Sequence, residues 1–266
     1  MRENPTITVS KQIERTLNRA AELYECPEFI ENDPISIPHR FTKKQDIEIA
    51  AFFASIIAWG NRKAILKSGE KLLDIFEGSP SDFITKASEK DFSRIRTFYH
   101  RTFNGEDAFA LASALRSLYK DAGLTSLEGL FKKEGKDEAL AVRMQRFRER
   151  LCAHLPERTH KHIGNMQAGS AAKKLNLFLR WMVRPSKRGV DFGIWKTILP
   201  QELYVPLDVH SARVSRQLGI LERNANDAKA VYEVSSVLKG LCPEDPVKYD
   251  FALFGIGVHA KEHTSI

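Results

Sequence analysis

The sequence predicts an all-α protein, and three observations support this. Apolar residues recur at helical spacing along most of the 266 residues. No stretch alternates between polar and apolar residues as a half-buried strand does. Two segments, Thr42–Gln45 and Thr125–Glu128, have the spacing of a capping box, which marks the start of a helix. We also find no internal repeat and no low-complexity tract.

The first half of the chain contains six predicted helices. The first covers Ser10–Tyr24 and is followed by a loop with three prolines. Thr42 is expected to cap a second helix that ends at Trp59–Gly60, where glycine tolerates a terminal left-handed turn. Further helices are predicted over residues 62–76, 108–122, 126–133 and 138–155, and Thr125 is expected to cap the third of these four.

A helix predicted over Ser170–Val183 carries most of the chemistry. One face is apolar and is expected to face the core. Lys173 points almost opposite to that face, and Lys174 lies at its edge near Trp181. Leu177 and Trp181 lie off the core face, which suggests that a second lobe or a ligand meets this side. A long basic connection over 184–206 precedes helices predicted over residues 208–218, 225–238 and 246–254.

Composition narrows the classes of function. The net charge of +7 and the pI near 9.2 favour an anionic partner, of which nucleic acid is the simplest. Cys26, Cys152 and Cys242 are far apart, which excludes a four-cysteine zinc or iron–sulfur site and fits a reducing compartment. We expect no metal and no cofactor. No secretory signal or membrane-crossing run is evident, so a cytoplasmic protein is expected.

Two segments combine residues that suit chemistry on DNA. Residues 169–176, Gly-Ser-Ala-Ala-Lys-Lys-Leu-Asn, place a glycine turn ahead of a helix with lysine in its first turns. Such a turn can direct backbone N–H groups at a phosphate. In residues 207–219, Asp208 follows Pro206-Leu207 and starts another helix. A lysine nucleophile beside a carboxylate could cut a glycosidic bond next to a bound duplex.

These segments resemble the helix-hairpin-helix superfamily of DNA glycosylases that includes endonuclease III and 8-oxoguanine glycosylase. The superfamily pattern Gly-x-Gly-x-Lys-Thr-Ala-Asn is similar to residues 169–176, with Ala171 in place of the second glycine. Its pattern Val-Asp-x-His-x-x-Arg-Val-x-x-Arg-Leu-Gly is similar to residues 207–219. The wide gap between lysine and aspartate is closer to the archaeal 8-oxoguanine glycosylase branch. The whole chain also looks like an uncharacterised bacterial family on this scaffold.

The resemblance implies a two-lobed fold with the active site in the cleft between the lobes. The central lobe would be a helical barrel over residues 45–185 that ends in the hairpin. The second lobe would combine residues 1–44 with residues 186–266. Lys173 would then close the first lobe, and Asp208 would open the second.

The implied function is base-excision repair by a DNA glycosylase with lysine-dependent AP-lyase activity on a damaged base, such as an oxidised purine. Lys173 would form the Schiff base, and Asp208 would stabilise positive charge on the sugar and help to activate the lysine. A nucleophilic lysine must be neutral, which burial or a neighbouring cation favours. The damaged base must also leave the stack.

The resemblance and the basic charge suggest roles for further residues. Contacts with the backbone of double-stranded DNA are expected from a set of turn and basic residues: Gly169, Ser170, Lys174, Arg184, Lys187 and Arg188. Trp59, Asn61 and Trp181 are candidates for a base pocket, and His210 and Arg213 are expected to support Asp208. We expect a monomer.

Simpler interpretations remain open at this point. Asp208 could be only an N-cap, a role worth about 1 kcal/mol. Lys174 could be the nucleophile instead of Lys173, and Trp59 and Trp181 could be core aromatics. The protein could also be a non-catalytic DNA-binding protein on the same scaffold, or an RNA- or protein-interaction module that uses its basic surface.

Overall fold

The computed structural model describes residues 9–120, 122–185 and 187–259. All regular secondary-structure elements of these residues are α-helices or 3-10 helices. The described residues contain no strand, and their only β-type pairings are isolated bridges between His100 and Phe103 and between Ser170 and Asp227. The prediction of an all-α protein is therefore confirmed. None of the helices in the described ranges has the length and apolarity needed to cross a bilayer.

The helices are numbered in chain order. They are α1 (Lys11–Tyr24), α2 (Glu28–Glu31), α3 (Lys44–Ile57), α4 (Arg62–Ile75), α5 (Pro80–Lys86), α6 (Glu89–Ser93), α7 (Gly105–Lys120), α8 (Leu140–Cys152), α9 (Lys173–Val183), α10 (Val209–Gln217), α11 (Ala228–Leu241) and α12 (Tyr249–His259). Short 3-10 helices occupy several connections: Pro34–Ser36, Pro38–Arg40, Arg94–Thr97, Leu127–Phe131, Glu157–His162, Pro200–Glu202 and Pro246–Lys248.

The chain divides into two compact units. The terminal unit combines the segment up to Phe29 with Asn165–Phe192 and the segment from Leu199 onward. The central unit comprises Ile30–Gly164 and Gly193–Ile198. These boundaries differ from the expected lobes, because residues 165–185 group with the chain ends rather than with the preceding helices. The predicted lysine and aspartate therefore belong to one unit.

Helix α12 forms the centre of the terminal unit. Two of its glycines permit close approach by neighbouring helices. A Cβ at Gly255 would lie 2.0 Å from the Tyr24 ring at the end of α1. A Cβ at Gly257 would lie 3.3 Å from His210 and from Val214 of α10. The unit is thus a tightly packed helical cluster in which α12 contacts both α1 and α10.

Helix α3 forms the core of the central unit, where every residue from Asp46 to Ile57 is buried. Two of these residues are acids, and one of them, Glu48, accepts hydrogen bonds from Trp195 Nε1 at 2.7 Å and from Leu127 N at 3.0 Å. Burial raises the pKa of Glu48, although these donors oppose the shift. The buried carboxylate ties the segment that contains Trp195 to the central unit.

The start of α1 agrees with the prediction, and two other predicted caps are wrong. Ser10 caps α1 by accepting from Ile13 N at 3.3 Å. Thr42 does not cap α3, because Lys43 occupies that position without a side-chain cap. Thr125 is also not a cap. Ser126 caps a 3-10 helix there, and the Glu128 carboxylate accepts from backbone N–H groups near residue 197.

Candidate active site in the terminal unit

The hairpin segment, residues 165–172, is a compact turn that leads into α9. Gly169 has a φ of 91°, a backbone conformation that residues other than glycine rarely adopt. Ser170 N donates to Asn165 O at 2.9 Å, and Ser170 Oγ accepts from Ala172 N at 3.1 Å. Gly169 and Ser170 are exposed, so the turn lies at the surface.

Helix α9 begins three residues later than predicted. Ala172 is its N-cap and adopts a left-handed conformation with φ 44° and ψ 37°. Asn176 is buried, and its Nδ2 donates to Ala171 O at 3.0 Å, which fixes the helix against the turn. Lys173 and Lys174 consequently occupy the first two helical positions, where the helix dipole opposes added positive charge.

The structure brings Lys173 and Asp208 together. Lys173 Nζ lies 3.4 Å from Asp208 Oδ2, and the two side chains are 30% and 18% exposed. The other carboxylate oxygen, Oδ1, caps α10 by accepting from His210 N at 2.9 Å and Ser211 N at 2.8 Å. Capping and pairing with lysine therefore use different oxygens, and the two interpretations of Asp208 are compatible.

Two pKa shifts characterise this pair of helix termini. Burial alone would raise the pKa of Asp208, but the Lys173 charge and the Ser211 N–H outweigh it, so the net shift is downward. Asp208 is thus an anion at neutral pH. Burial, reinforced by the neighbouring Lys173 charge, lowers the pKa of Lys174 to about 8. A substantial fraction of this second amine is neutral near physiological pH.

A buried ion network lies farther along α9. Arg180 pairs with Asp191, with 3.3 Å between Nε and Oδ1, and with Asp250. Arg184 Nη1 lies 3.1 Å from Asp191 Oδ2. Burial raises the pKa of Asp250 to about 6, with Arg180 opposing the shift and the Asp208 charge adding to it. All members of the network belong to the terminal unit.

The expected phosphate contacts fare differently. Arg184 is buried, and its guanidinium binds Glu25 at 2.7 Å and Asp245 at 2.9 Å, which leaves it no role on a duplex surface. Arg188 is exposed but donates to the Glu22 and Glu25 carbonyl oxygens at the end of α1. Arg184 is therefore a buried ion-pair partner, and the expectation that it contacts DNA is corrected. Lys187 is exposed on the same connection.

The three base-pocket candidates are divided between the two units. Trp181 is fully buried in the core of the terminal unit, so its ring cannot stack on a base. Trp59 and Asn61 belong to the central unit. Trp59 is half-buried with the Arg101 guanidinium 4.5 Å from its ring centroid. Asn61 caps α4 by accepting from Ala64 N at 3.2 Å.

The two supporting residues make different kinds of contact. His210 is exposed and contributes its main-chain N–H to Asp208. Arg213 Nη2 donates to Gly257 O at 2.8 Å and so joins α10 to α12. The sequence analysis did not identify the network around Arg180 and Asp250. A pair of arginines four residues apart on an otherwise apolar helix was the signal that could have revealed it.

The residues described show no group of three or more His, Cys, Asp or Glu side chains placed to hold a metal ion. The candidate chemistry rests on the lysines at the start of α9 and on Asp208, which Lys173 approaches to 3.4 Å. The geometry defines a class of all-α protein in which a hairpin-led helix presents lysine to a capping aspartate.

The chain belongs to the family described as "Protein of unknown function (DUF2400)", whose model matches residues 33–259. This match includes the hairpin segment, both lysines and Asp208. Neither the comparison with curated proteins nor the comparison with solved structures gave a match.

Proposed function

We propose that the protein is a DNA glycosylase with lysine-dependent AP-lyase activity, built on the helix-hairpin-helix glycosylase fold. The observation that carries the proposal is the 3.4 Å approach of Lys173 Nζ to Asp208 Oδ2. A nucleophile and a carboxylate that meet directly after a glycine turn suit attack on a sugar whose phosphates lie on the turn.

In the proposed reaction the neutral Lys173 amine attacks C1′ of the damaged nucleotide. The C1′–N bond breaks, and the base leaves with the bonding electron pair and gains a proton. The Asp208 carboxylate stabilises the positive charge that develops on the sugar. The attached nitrogen loses a proton, its lone pair forms the C=N bond as the C1′–O4′ bond breaks, and O4′ takes up a proton, which leaves an open-chain protonated Schiff base. Removal of a C2′ proton then expels the 3′ phosphate and cuts the strand.

The capping bonds of Asp208 support this role. Two backbone N–H groups hold Oδ1, so the carboxylate cannot rotate without losing both bonds. Oδ2 is thereby fixed toward Lys173 before any substrate arrives. A preorganised charge stabilises a transition state without the cost of reorientation during the reaction.

Duplex binding is assigned to exposed groups. Gly169 and Ser170 expose the turn, and Lys187 supplies a cation on the connection that follows α9. Ala171, which replaces the second hairpin glycine of the resembling pattern, is half-buried and accepts from Asn176 through its carbonyl. Its methyl group restricts close approach of a phosphate to the turn and so of the sugar to Lys173. Exposed cations such as Lys187 could still bind a duplex, and the second candidate is therefore a non-catalytic DNA-binding protein.

The test is reductive trapping with borohydride on duplexes that carry an abasic site or one of several oxidised bases. Wild-type protein should crosslink to at least one duplex, and Lys173→Gln should lose the crosslink by at least about a hundredfold, because the Schiff base needs this amine. Lys174→Gln is the matched control and should keep the crosslink. Loss in the Lys174 variant alone would reverse the assignment, and duplex binding without trapping would favour the second candidate.

A further inference from the structure

Lys173 and Arg180 of α9, and Arg184 directly after the helix, lie along one face, whereas Lys174 lies about 100° away from it. At about 100° per residue, positions seven and eleven residues after Lys173 return to within about 20° of its direction. These positions are Arg180 and Arg184. At 1.5 Å per residue they lie about 10 Å and about 16 Å farther along the helix axis. The candidate nucleophile thus shares a face with two buried cations.

Helix α12 brings a carboxylate to this face. Asp250 is buried and pairs with Arg180. Seven residues later on the same face of α12, Gly257 packs against His210, two residues after Asp208. One face of α12 therefore faces both α9 and the start of α10. In agreement, the charges of Asp208 and Lys173 both influence the pKa of Asp250, although burial is the largest cause of its shift.

The buried arginine and aspartate form a second pair of opposite charges next to the first. We propose that the Arg180–Asp250 pair is a positioning element. Its two opposite charges largely cancel in the electrostatic field that acts on Lys173 and Asp208. The inference deepens the proposed function, since it concerns the same lysine. Neither Arg180 nor Asp250 is assigned a contact with substrate. They act through the field they impose on the Lys173 amine.

The proposal predicts effects of opposite sign for the two members of the pair. Removing the Asp250 charge leaves Arg180 with less compensation, and the added positive field favours the neutral form of the Lys173 amine. Removing the Arg180 charge leaves a buried anion near Lys173, which favours the ammonium form. A unit charge about 10 Å away can change the neutral fraction by up to about tenfold at an effective dielectric of about 20.

The experiment measures how fast an amine-acylating reagent labels Lys173 in the full-length protein, with peptides quantified by mass spectrometry at pH 7.5. We expect Asp250→Asn to raise the labelling rate about threefold to tenfold, and Arg180→Gln to lower it by a similar factor. The double variant should return to within about twofold of wild type. Exposed Lys239 reports the intrinsic reactivity of the reagent in each sample.

Two control variants separate the field from loss of packing. Arg180→Lys keeps the positive charge and should label at close to the wild-type rate. Arg184→Gln breaks the same buried network one turn farther along and should destabilise the protein. It should change Lys173 labelling by only about twofold to fourfold, because its charge lies about 16 Å rather than about 10 Å away along the axis. If Arg180→Gln does not fold, Asp250→Asn decides alone, because its amide can still accept from Arg180.

A pH profile adds a second readout. The charged groups that act on Asp250 are Lys173 and Arg180 from α9 and Asp208 at the start of α10, and Asp191 shares Arg180 with it. In wild-type protein, Lys173 labelling relative to Lys239 should rise as the pH falls through about 6, because Asp250 becomes neutral there. Asp250→Asn should lack this feature.

The outcomes are decisive in either direction. Opposite shifts that cancel in the double variant support the inference. Shifts of the same sign, no shift, or an effect of Arg184→Gln as large as that of Arg180→Gln would overturn it. Because labelling uses no DNA, a protein that fails every trapping assay can still pass or fail this test. Failure of the proposed function is therefore distinguishable from failure of the inference.

Discussion

Asp208 carries two duties on two oxygens. Its Oδ1 satisfies two N–H groups that open α10, and its Oδ2 lies 3.4 Å from Lys173 Nζ. A carboxylate at a helix N-terminus is also favoured by the helix dipole. Stability alone would therefore retain an acid or an amide here. Capping needs only an oxygen atom, whereas the nearby Lys173 gives a reason for the negative charge of Asp208.

Substitutions at Asp208 can separate those duties. Asp208→Asn keeps an oxygen that can cap α10 but removes the charge, so trapping or excision should fall by orders of magnitude while the free energy of unfolding changes little. Asp208→Ala removes both and should also cost about 1 kcal/mol of stability. Activity assays and urea unfolding check the two effects. Full activity in the Asn variant would leave capping as the sole role.

Lys174 makes stability depend on pH in the alkaline range. Its pKa falls from 10.5 to about 8 in the folded protein, chiefly because of burial. The folded state consequently binds fewer protons than the unfolded state between these values, so this residue's penalty on stability is full below about pH 8 and fades toward pH 10.5.

Lys174→Met should therefore be more stable than wild type at pH 7, with a difference that narrows by pH 10. Methionine keeps an unbranched chain of similar length, which limits packing changes. Urea unfolding of both proteins at the two pH values measures the difference. The matched variant Lys239→Met lies at an exposed position and should show no such trend. A constant difference for Lys174→Met would contradict the burial argument.

At the scale of elements, the junction between hairpin segment and α9 depends on two unusual backbone conformations. Gly169 has φ 91°, and Ala172 has φ 44°. A Cβ added at Gly169 would meet nothing within 4 Å. The requirement for glycine is thus conformational rather than steric, since residues with a side chain pay to adopt positive φ.

A pair of glycine substitutions tests this requirement. Gly169→Ala should destabilise the protein by about 1–2 kcal/mol, because the left-handed conformation is strained for alanine. Gly240→Ala near the end of α11 meets open space and should be neutral or stabilise by about 0.5 kcal/mol. Thermal or urea unfolding gives both values. Equal effects in the two variants would remove the case for a conformational requirement at Gly169.

The sequence predicted helices better than it predicted their starts. Periodicity located α1, α3, α4, α7 and α8, and Asp208 was recognised as a possible cap of α10. The start of α9 was misplaced because alanine at position 172 gives no sign of a left-handed cap. Thr42 and Thr125 were wrongly predicted as caps, because the local sequence does not show which distant groups the neighbouring acidic side chains bind. Asp46 accepts from Ser81 N at 2.7 Å.

The candidate site shows a similar division. Two short motifs sufficed to predict Lys173 and Asp208 as partners, since each motif fixes its residue at a helix start. The long-range partners were not predictable in this way. Arg184 finds Glu25, which precedes it by 159 residues. A basic residue in a loop reads as a surface charge until the fold supplies such a partner.

For the whole molecule, the count of 41 Lys and Arg residues overstates the number of cations available to a ligand. Arg180 and Arg184 form ion pairs with buried carboxylates. Arg188 donates to main-chain carbonyl oxygens at the end of α1. These cations join chain segments that are distant in sequence and stabilise the terminal unit. Any duplex surface must instead use exposed cations such as Lys187.

This distinction predicts how DNA binding should depend on salt. Each phosphate neutralised contributes about −0.9 to the slope of log affinity against log salt, so a few contacts give a slope of roughly −3 to −6. Lys187→Ala should reduce the magnitude of that slope by about 1 and weaken binding to all duplex sequences alike.

Arg184→Gln is the informative comparison, because it removes the same unit of charge from the buried network. It should lower thermal stability while leaving the slope unchanged for the fraction that remains folded. Titrations at several salt concentrations, with unfolding curves for each variant, measure both quantities. A salt-independent affinity, or no duplex binding at low salt, would favour a protein-interaction module over a DNA-binding enzyme, since contact with phosphates cannot escape counterion release.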